Sequence, residues 1–210
     1  MNKHYAIFDM DGTLVDSMGY WHSMEREFLL NKGISEGLDE ILETTKPMTL
    51  TESCAYFSSF CGIDCSPEQF ISEIETIMAQ HYSRDVRIKS GVREYLDSLR
   101  AKDIPMCVAS ATGKPLVELC LETLGLKDYF SFILSCVEVG AGKNRPDVFL
   151  EAARRLGAEP TDCAVFEDAI YAVRSAKEAG FYVVAVKDAH NGSCWEELQS
   201  LADESITTWL

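Results

Sequence analysis

The feature that most constrains this chain lies close to its start. Tyr5-Ala6-Ile7-Phe8 is apolar throughout and runs straight into Asp9-Met10-Asp11-Gly12-Thr13, where two carboxylates spaced two residues apart are followed at once by a glycine. A short apolar run of this kind suits a strand buried on both faces. Its end then carries charge to the mouth of a sheet, and in open α/β sheets ligands bind at the carboxyl ends of the strands. The spacing brings both carboxylates near one point if the strand continues. Gly12 permits a sharp turn around them, and Thr13 adds a hydroxyl. Such a cluster can hold a metal ion. It is not an EF-hand loop, because the glycine comes two positions early and no glutamate stands at the twelfth position. Taken alone, the motif is equally a polar turn after a strand, so its meaning depends on what the rest of the chain brings to it.

After Ser17 the pattern turns helical. Apolar residues at Trp21, Met24, Phe28 and Leu29 predict a helix from Trp21 to Lys32 stopped by Gly33, and a short helix follows from Gly37 to Thr44. Thr49-Leu50-Thr51-Glu52 reads as a capping box that opens a third helix to Phe60. Ser66-Pro67-Glu68-Gln69 is a fuller start, with Phe70, Ile71, Ile74, Ile77, Met78 and Tyr82 at helical spacing behind it. From Ser90 onward helices alternate with strands, predicted at Pro105–Ala109, Phe132–Cys136, Cys163–Phe166 and Tyr182–Val186, with an edge strand at Ser205–Thr208. This alternation predicts an α/β fold, a doubly wound parallel sheet covered on both faces. One strand precedes the helical block and the others follow it. The block is therefore an insertion. Residues 1–16 and 87–210 are expected to form a Rossmann-like core domain, residues 17–86 an all-helical cap domain, and residues 14–20 and 84–91 the hinge linkers.

Three predicted strands end in functional residues: Asp9 and Asp11, Ser110 and Thr112, and Glu167 and Asp168. In a parallel sheet all three sets meet at one edge. Lys143 joins them from the loop Gly140-Ala141-Gly142-Lys143-Asn144-Arg145-Pro146. Carboxylates, a hydroxyl and a lysine around a divalent cation are what phosphoryl transfer requires: cation and lysine offset oxyanion charge, and one carboxylate is nucleophile or base. Oxygen-only ligands favour Mg²⁺ over zinc. A Walker loop is excluded, since Val137 stands where its first glycine would be and Asn144 where its Ser/Thr would be.

Charge narrows the partners. With a formal net charge of −15, nucleic acid and anionic membrane surfaces are poor candidates. No apolar run approaches a membrane span, and Tyr5 follows the start too closely for a signal peptide, so a cytoplasmic location is expected. The eight cysteines are scattered through apolar patterns, which suits reduced buried thiols. Cys54, Cys61 and Cys65 with His22 and His81 match no standard zinc spacing.

Together these motifs resemble the haloacid dehalogenase superfamily of aspartate-nucleophile phosphatases, in the branch similar to β-phosphoglucomutase and phosphoglycolate phosphatase. D-x-D-G-T-L-x-D-S at residues 9–17, a strand ending in Ser110, K-x-x-P-D at 143–147 and the pair Glu167-Asp168 occur in the family's order, with a helical insertion after the first. The resemblance implies that Asp9 attacks phosphorus, and that Asp11 protonates the leaving oxygen and then activates water. Ser110, the Ala111 N–H, Thr13 and Lys143 would bind the phosphoryl group. Mg²⁺ would be held by Asp9, the Asp11 carbonyl and Asp168, with Glu167 in support. The cap would close over the site and choose a small phosphorylated metabolite, and a monomer is the family's default. The acid at Asp11 separates phosphate esters from haloacids, since a halide leaves without a proton. Lys46 is the one central cap lysine, and nothing around it resembles the Schiff-base motif of phosphonatases.

Two departures stand out. The fourth motif, commonly E-D-S-x-x-G, reads Glu167-Asp168-Ala169-Ile170-Tyr171-Ala172 here. β-Phosphoglucomutases usually carry a cap histidine twelve residues after the nucleophile, where this chain has Trp21 with His22 one place on. Phosphate hydrolysis is therefore preferred to a sugar-phosphate mutase, and both to a non-catalytic phosphate- or Mg²⁺-binding module such as a receiver domain, which lacks both cap and Asp11. Solvated or core roles are the default for His22, Trp21, Lys46, Thr49 and Arg145.

Overall fold

A computed structural model describes residues 3–45, 48 and 50–209. The chain divides into two compact units, Met1–Met18 with Val86–Leu210, and Gly19–Asp85. The first opens with β1 (Tyr5–Phe8) and β2 (Val15–Asp16). Four helices follow, α1 (Met18–Asn31), α2 (Leu38–Thr45), α3 (Leu50–Phe60) and α4 (Pro67–Arg84). The chain returns through β3 (Arg87–Ile88), α5 (Val92–Arg100), β4 (Met106–Ser110), α6 (Lys114–Thr123) and β5 (Ile133–Ser135). It continues with α7 (Cys136–Val139), α8 (Asp147–Leu156), β6 (Cys163–Glu167), α9 (Ile170–Glu178), β7 (Tyr182–Val186), α10 (Trp195–Leu201) and β8 (Glu204–Ile206).

Six strands form one parallel sheet in the order β5-β4-β1-β6-β7-β8. From β1 the chain builds outward through β4 and β5, then returns to the other side of β1 for β6, β7 and β8. β1 is thus where strand order reverses, the position that opens a crevice at the sheet's carboxyl edge. Phe8, the last residue of β1, lies opposite both Val108 and Phe166, and the flanking strands run on past it at the same edge, β4 to Ser110 and β6 to Glu167.

Alternation along the strands sorts the core. Ile7, Cys107, Val165 and Val183 face one side, where they share a cluster with Val148 and Phe149 of α8, Val173 of α9 and Leu198 of α10. On the other side Phe8 stacks on Phe166 at 4.5 Å, and Tyr95 of α5 meets Phe166 edge-on at 5.6 Å. The helical unit has its own core of Phe28, Ile41, Cys54, Phe57, Phe70 and Ile74. Its longest helix, α4, starts at the expected capping box: the Ser66 hydroxyl accepts from the Gln69 N–H, and the Gln69 side chain accepts from the Ser66 N–H at 2.9 Å. Phe28 packs edge-on against Phe70 at 4.6 Å.

The structure adds three things to the sequence reading. The segments read as hinge linkers are paired, β2 antiparallel to β3 with Val15 opposite Ile88 and Asp16 opposite Arg87. The first helix begins at Met18 rather than Trp21. α7 follows β5 directly, opened by a capping box in which Ser135 and Glu138 exchange bonds. The capping threonine expected at Thr49, and Lys46, lie outside the described residues. All eight cysteines are free, with Cys54, Cys107, Cys120, Cys136 and Cys163 buried. No helix among the described residues is long and apolar enough to cross a membrane.

Candidate active site

The site is built on the end of β1. Past Phe8 the Asp9 N–H donates to the Phe166 carbonyl at 3.0 Å, which keeps the main chain in the ladder for one more residue. The chain then folds back tightly: Met10 O accepts from Leu14 N–H at 2.9 Å and from Val15 N–H at 3.1 Å. Gly12 stands at the apex with φ +77°, a conformation disfavoured for side-chain-bearing residues.

Around this turn the structure gathers the residues of all four motifs. Asp9, Glu167 and Asp168, all buried, place one carboxylate oxygen each within 4.8 Å of the others, and they are the one such group among the described residues. Lys143, also buried, bonds Asp9 on one side and Glu167 at 2.7 Å on the other. Thr13 donates its hydroxyl to Asp168 at 3.0 Å, so its side chain engages that carboxylate. Asp11 is held at both oxygens, by Ser17 at 2.6 Å and by Thr112 at 2.7 Å. Both partners are hydroxyls, and together they fix the orientation of the Asp11 side chain. Ser110 is buried at the end of β4, where its oxygen accepts from the Thr112 N–H at 3.1 Å and its own proton remains available. Ala111 is exposed beside it.

Electrostatics set the chemistry. Burial pushes the Asp9 carboxyl up from 3.8 to about 8; Lys143 opposes this, while Glu167 and Asp11 add to it. Burial, then Glu167 and Asp9, raise Asp168 as well. Lys143 is held charged: burial alone would lower it, but Asp9 and Glu167 outweigh burial. Three buried carboxyl groups are therefore gathered beside one ammonium. Burial is the main cause of both raised carboxyls and the neighbouring acids add to it; a divalent cation bound there would favour their ionised forms, and an all-oxygen donor set fits a hard ion such as Mg²⁺.

The two departures in the fourth motif are accommodated locally. Glu167 Oε1 accepts from the N–H groups of Asp168 and Ala169, each at 3.1 Å, so the turn closes without the hydroxyl of a serine at position 169. Ala172 is fully buried against the sheet, where its methyl packs in the core. Sequence reasoning missed Ser175, whose hydroxyl is buried within α9 and donates to the Lys143 carbonyl at 2.6 Å, tying the lysine loop to the helix. A serine on the apolar face of a helix was the available clue. Arg145 points away into an exposed pair with Asp147. In the helical unit the Trp21 indole donates to the buried Tyr82 hydroxyl at 3.1 Å, and His22 is exposed.

A doubly wound α/β core with a buried lysine–carboxylate cluster at its switch strand defines an enzyme of the acid-centred type. The family model for haloacid dehalogenase-like hydrolases matches residues 6–186, and the chain belongs to that family. It is 31% identical over 222 residues to (DL)-glycerol-3-phosphatase 2 of Arabidopsis thaliana, across 98% of this chain and 90% of that protein. It is 30% identical over 211 residues to the bifunctional riboflavin kinase/FMN phosphatase of the same plant, covering 97% of this chain but only 55% of that protein's length. Among solved structures it resembles a haloacid dehalogenase family hydrolase from Deinococcus radiodurans, determined with bound phosphate and sodium, at TM-score 0.71 and 26% identity over 99% of this chain and 92% of that one.

Proposed function

We propose that this protein is a Mg²⁺-dependent phosphatase that hydrolyses a small phosphorylated metabolite through an aspartyl-phosphate on Asp9. The observation that carries this reading is the ammonium of Lys143 set between Asp9 and Glu167, all three buried at the end of the switch strand. Burying such charges is expensive, and a core of apolar residues would serve folding better; clusters of this kind mark functional sites. The phosphatase names of its relatives and the phosphate in the Deinococcus structure support the same substrate class.

In this reading an Asp9 oxygen attacks phosphorus, the ester P–O bond breaks, and Asp11 gives its proton to the departing alcohol. Asp11, now a carboxylate, takes a proton from water as that water attacks phosphorus, and Asp9 is released. Ser110 and the Ala111 N–H bind phosphoryl oxygens while Lys143 balances their charge. Thr13 contributes through Asp168, which it holds. Asp9, the Asp11 carbonyl and Asp168 would hold Mg²⁺, with Glu167 behind them, and the ion supplies positive charge to the phosphoryl oxygens. The helical unit, inserted just after the acidic turn, is the part we assign to substrate choice. Its Trp21, bonded within the unit to Tyr82, leaves the mutase histidine position without an imidazole.

The test is phosphate release from a panel of sugar, polyol, nucleotide and glycolate phosphates, with Mg²⁺ and with chelator. Release of phosphate that needs Mg²⁺ is expected. Isomerisation of a sugar phosphate without phosphate release would replace this reading with the mutase, and no turnover with intact Mg²⁺ binding would replace it with a binding module.

A further inference from the structure

Beyond the acid cluster, a second buried polar group occupies the loop after β7. Asp188 is only 3% exposed, and its Oδ2 lies 2.6 Å from the Lys89 ammonium. Its Oδ1 accepts from the His190 N–H at 2.9 Å, with the His190 ring Nδ1 3.1 Å from the same oxygen. Lys89 directly follows β3, and its ammonium also donates to two main-chain carbonyls, that of Gly12 and that of Lys187 at 3.0 Å. Asn191, buried alongside, accepts from the Asp188 N–H at 3.1 Å. Its amide donates to the Val186 carbonyl at 2.9 Å and to the Asp168 carbonyl at 3.2 Å.

Residues 187–191 with Lys89 thus touch both acid-bearing loops, each at one main-chain carbonyl. Gly12 lies between Asp11 and Thr13, and Asp168 carries its own carboxylate into the cluster. Neither contact reaches the cluster's side chains. A buried ion pair is a weak source of stability, but an ammonium that joins the Gly12 turn to the Lys187-Asp188 loop fixes the spacing of those two segments.

We propose that Lys89, Asp188 and Asn191 form a brace that holds the Asp11-Gly12-Thr13 turn and Asp168 at a set distance, and so determines how tightly the site takes a divalent cation. The inference rests on the cation reading above. Lys89 acts through the Gly12 carbonyl and Asn191 through the Asp168 carbonyl, which makes them positioning residues. Groups one layer behind metal ligands typically govern about 10- to 100-fold in affinity, and that range is expected here.

The experiment counts free Mn²⁺ by electron paramagnetic resonance during titration of the whole protein, with Mn²⁺ standing in for Mg²⁺ as a hard, oxygen-seeking ion. Lys89→Met paired with Asp188→Asn removes both charges and leaves no orphaned carboxylate. This variant is expected to keep its circular dichroism and melting temperature near wild type yet bind Mn²⁺ about 10-fold or more weakly. Lys89→Arg, which keeps a donor near Gly12, should restore part of the affinity. A purely structural role would lower the melting temperature and leave Mn²⁺ affinity alone. Should the paired variant not fold, Asn191→Ser carries the same test at the Asp168 carbonyl. A folded variant with wild-type Mn²⁺ affinity overturns the brace. A wild type that binds no Mn²⁺ overturns the cation reading, and the brace's purpose with it.

Discussion

Gly12 and Asp168 are packed so closely that a methyl group on Gly12 would sit 2.8 Å from the Asp168 carboxyl carbon. The absence of a side chain at the apex of the first turn is therefore what lets the fourth motif's carboxylate into the site. Gly12→Ala meets two obstacles, the positive φ and this collision. It should cost about 1–3 kcal/mol of stability and displace Asp168. Chemical denaturation measures the first effect, and a rise in the Mg²⁺ concentration needed for half-maximal activity measures the second.

Lys143 is bonded to two buried acidic side chains at once, Asp9 and Glu167. Lys143→Met leaves Asp9 and Glu167 facing each other without an ammonium, and losing one partner of a buried pair costs about 3–5 kcal/mol. The metal-free variant should melt well below wild type and release no phosphate. Adding Glu167→Gln should recover much of the melting temperature and none of the activity. Recovery of activity would remove Lys143 from the chemistry.

The raised carboxyls make the metal-free protein sensitive to pH in an unusual direction. Between about 3.8 and 8 the folded chain keeps a proton on Asp9 that the unfolded chain releases. Stability from this group is therefore present at the acid end and falls as pH rises through that window. A cation competes with the same proton, so Mg²⁺ binding should be weaker at pH 6 than at pH 8. Melting curves across this range, with Mg²⁺ and with chelator, check both slopes, and Asp9→Asn should flatten the metal-free one.

A second titrating group sits in the helical unit. His81 Nδ1 lies 2.8 Å from Asp85 and Nε2 3.0 Å from Glu27. Burial would lower its pKa, but hydrogen bonds to Asp85 and Glu27 and their charges outweigh burial and raise it above 6.5. Its contribution is complete below the unfolded value and is lost as pH rises through the folded one. Nuclear magnetic resonance titration of the ring should give a pKa above 6.5, and Glu27→Gln should bring it down.

What the sequence disclosed follows from how each residue is held. β1 was legible because a strand buried on both faces must be apolar, and Asp9 and Asp11 at its end break that run. Glu167 and Asp168 were legible for the same reason at the end of β6. The β2–β3 pairing was not, since two-residue strands such as Val15-Asp16 and Arg87-Ile88 carry no periodicity. α7 was hidden although Ser135 and Glu138 stood at capping-box spacing, because the apolar run before it read on as strand. Lys89, Asp188 and Asn191 left no trace, because they act on main-chain carbonyls of Gly12 and Asp168, and a carbonyl has no residue identity to read.

The central claim is that Asp9 carries the phosphoryl group, and the most direct measurement is to trap it there. Protein mixed with its best substrate and Mg²⁺ is acid-quenched within one turnover, reduced with borohydride, digested and read by mass spectrometry. An aspartyl-phosphate reduces to homoserine, so the account predicts homoserine at position 9 in wild type and none in Asp9→Asn. Burst phosphate release from wild type with an unmodified Asp9, or homoserine at Asp11 or Asp168 instead, would contradict it.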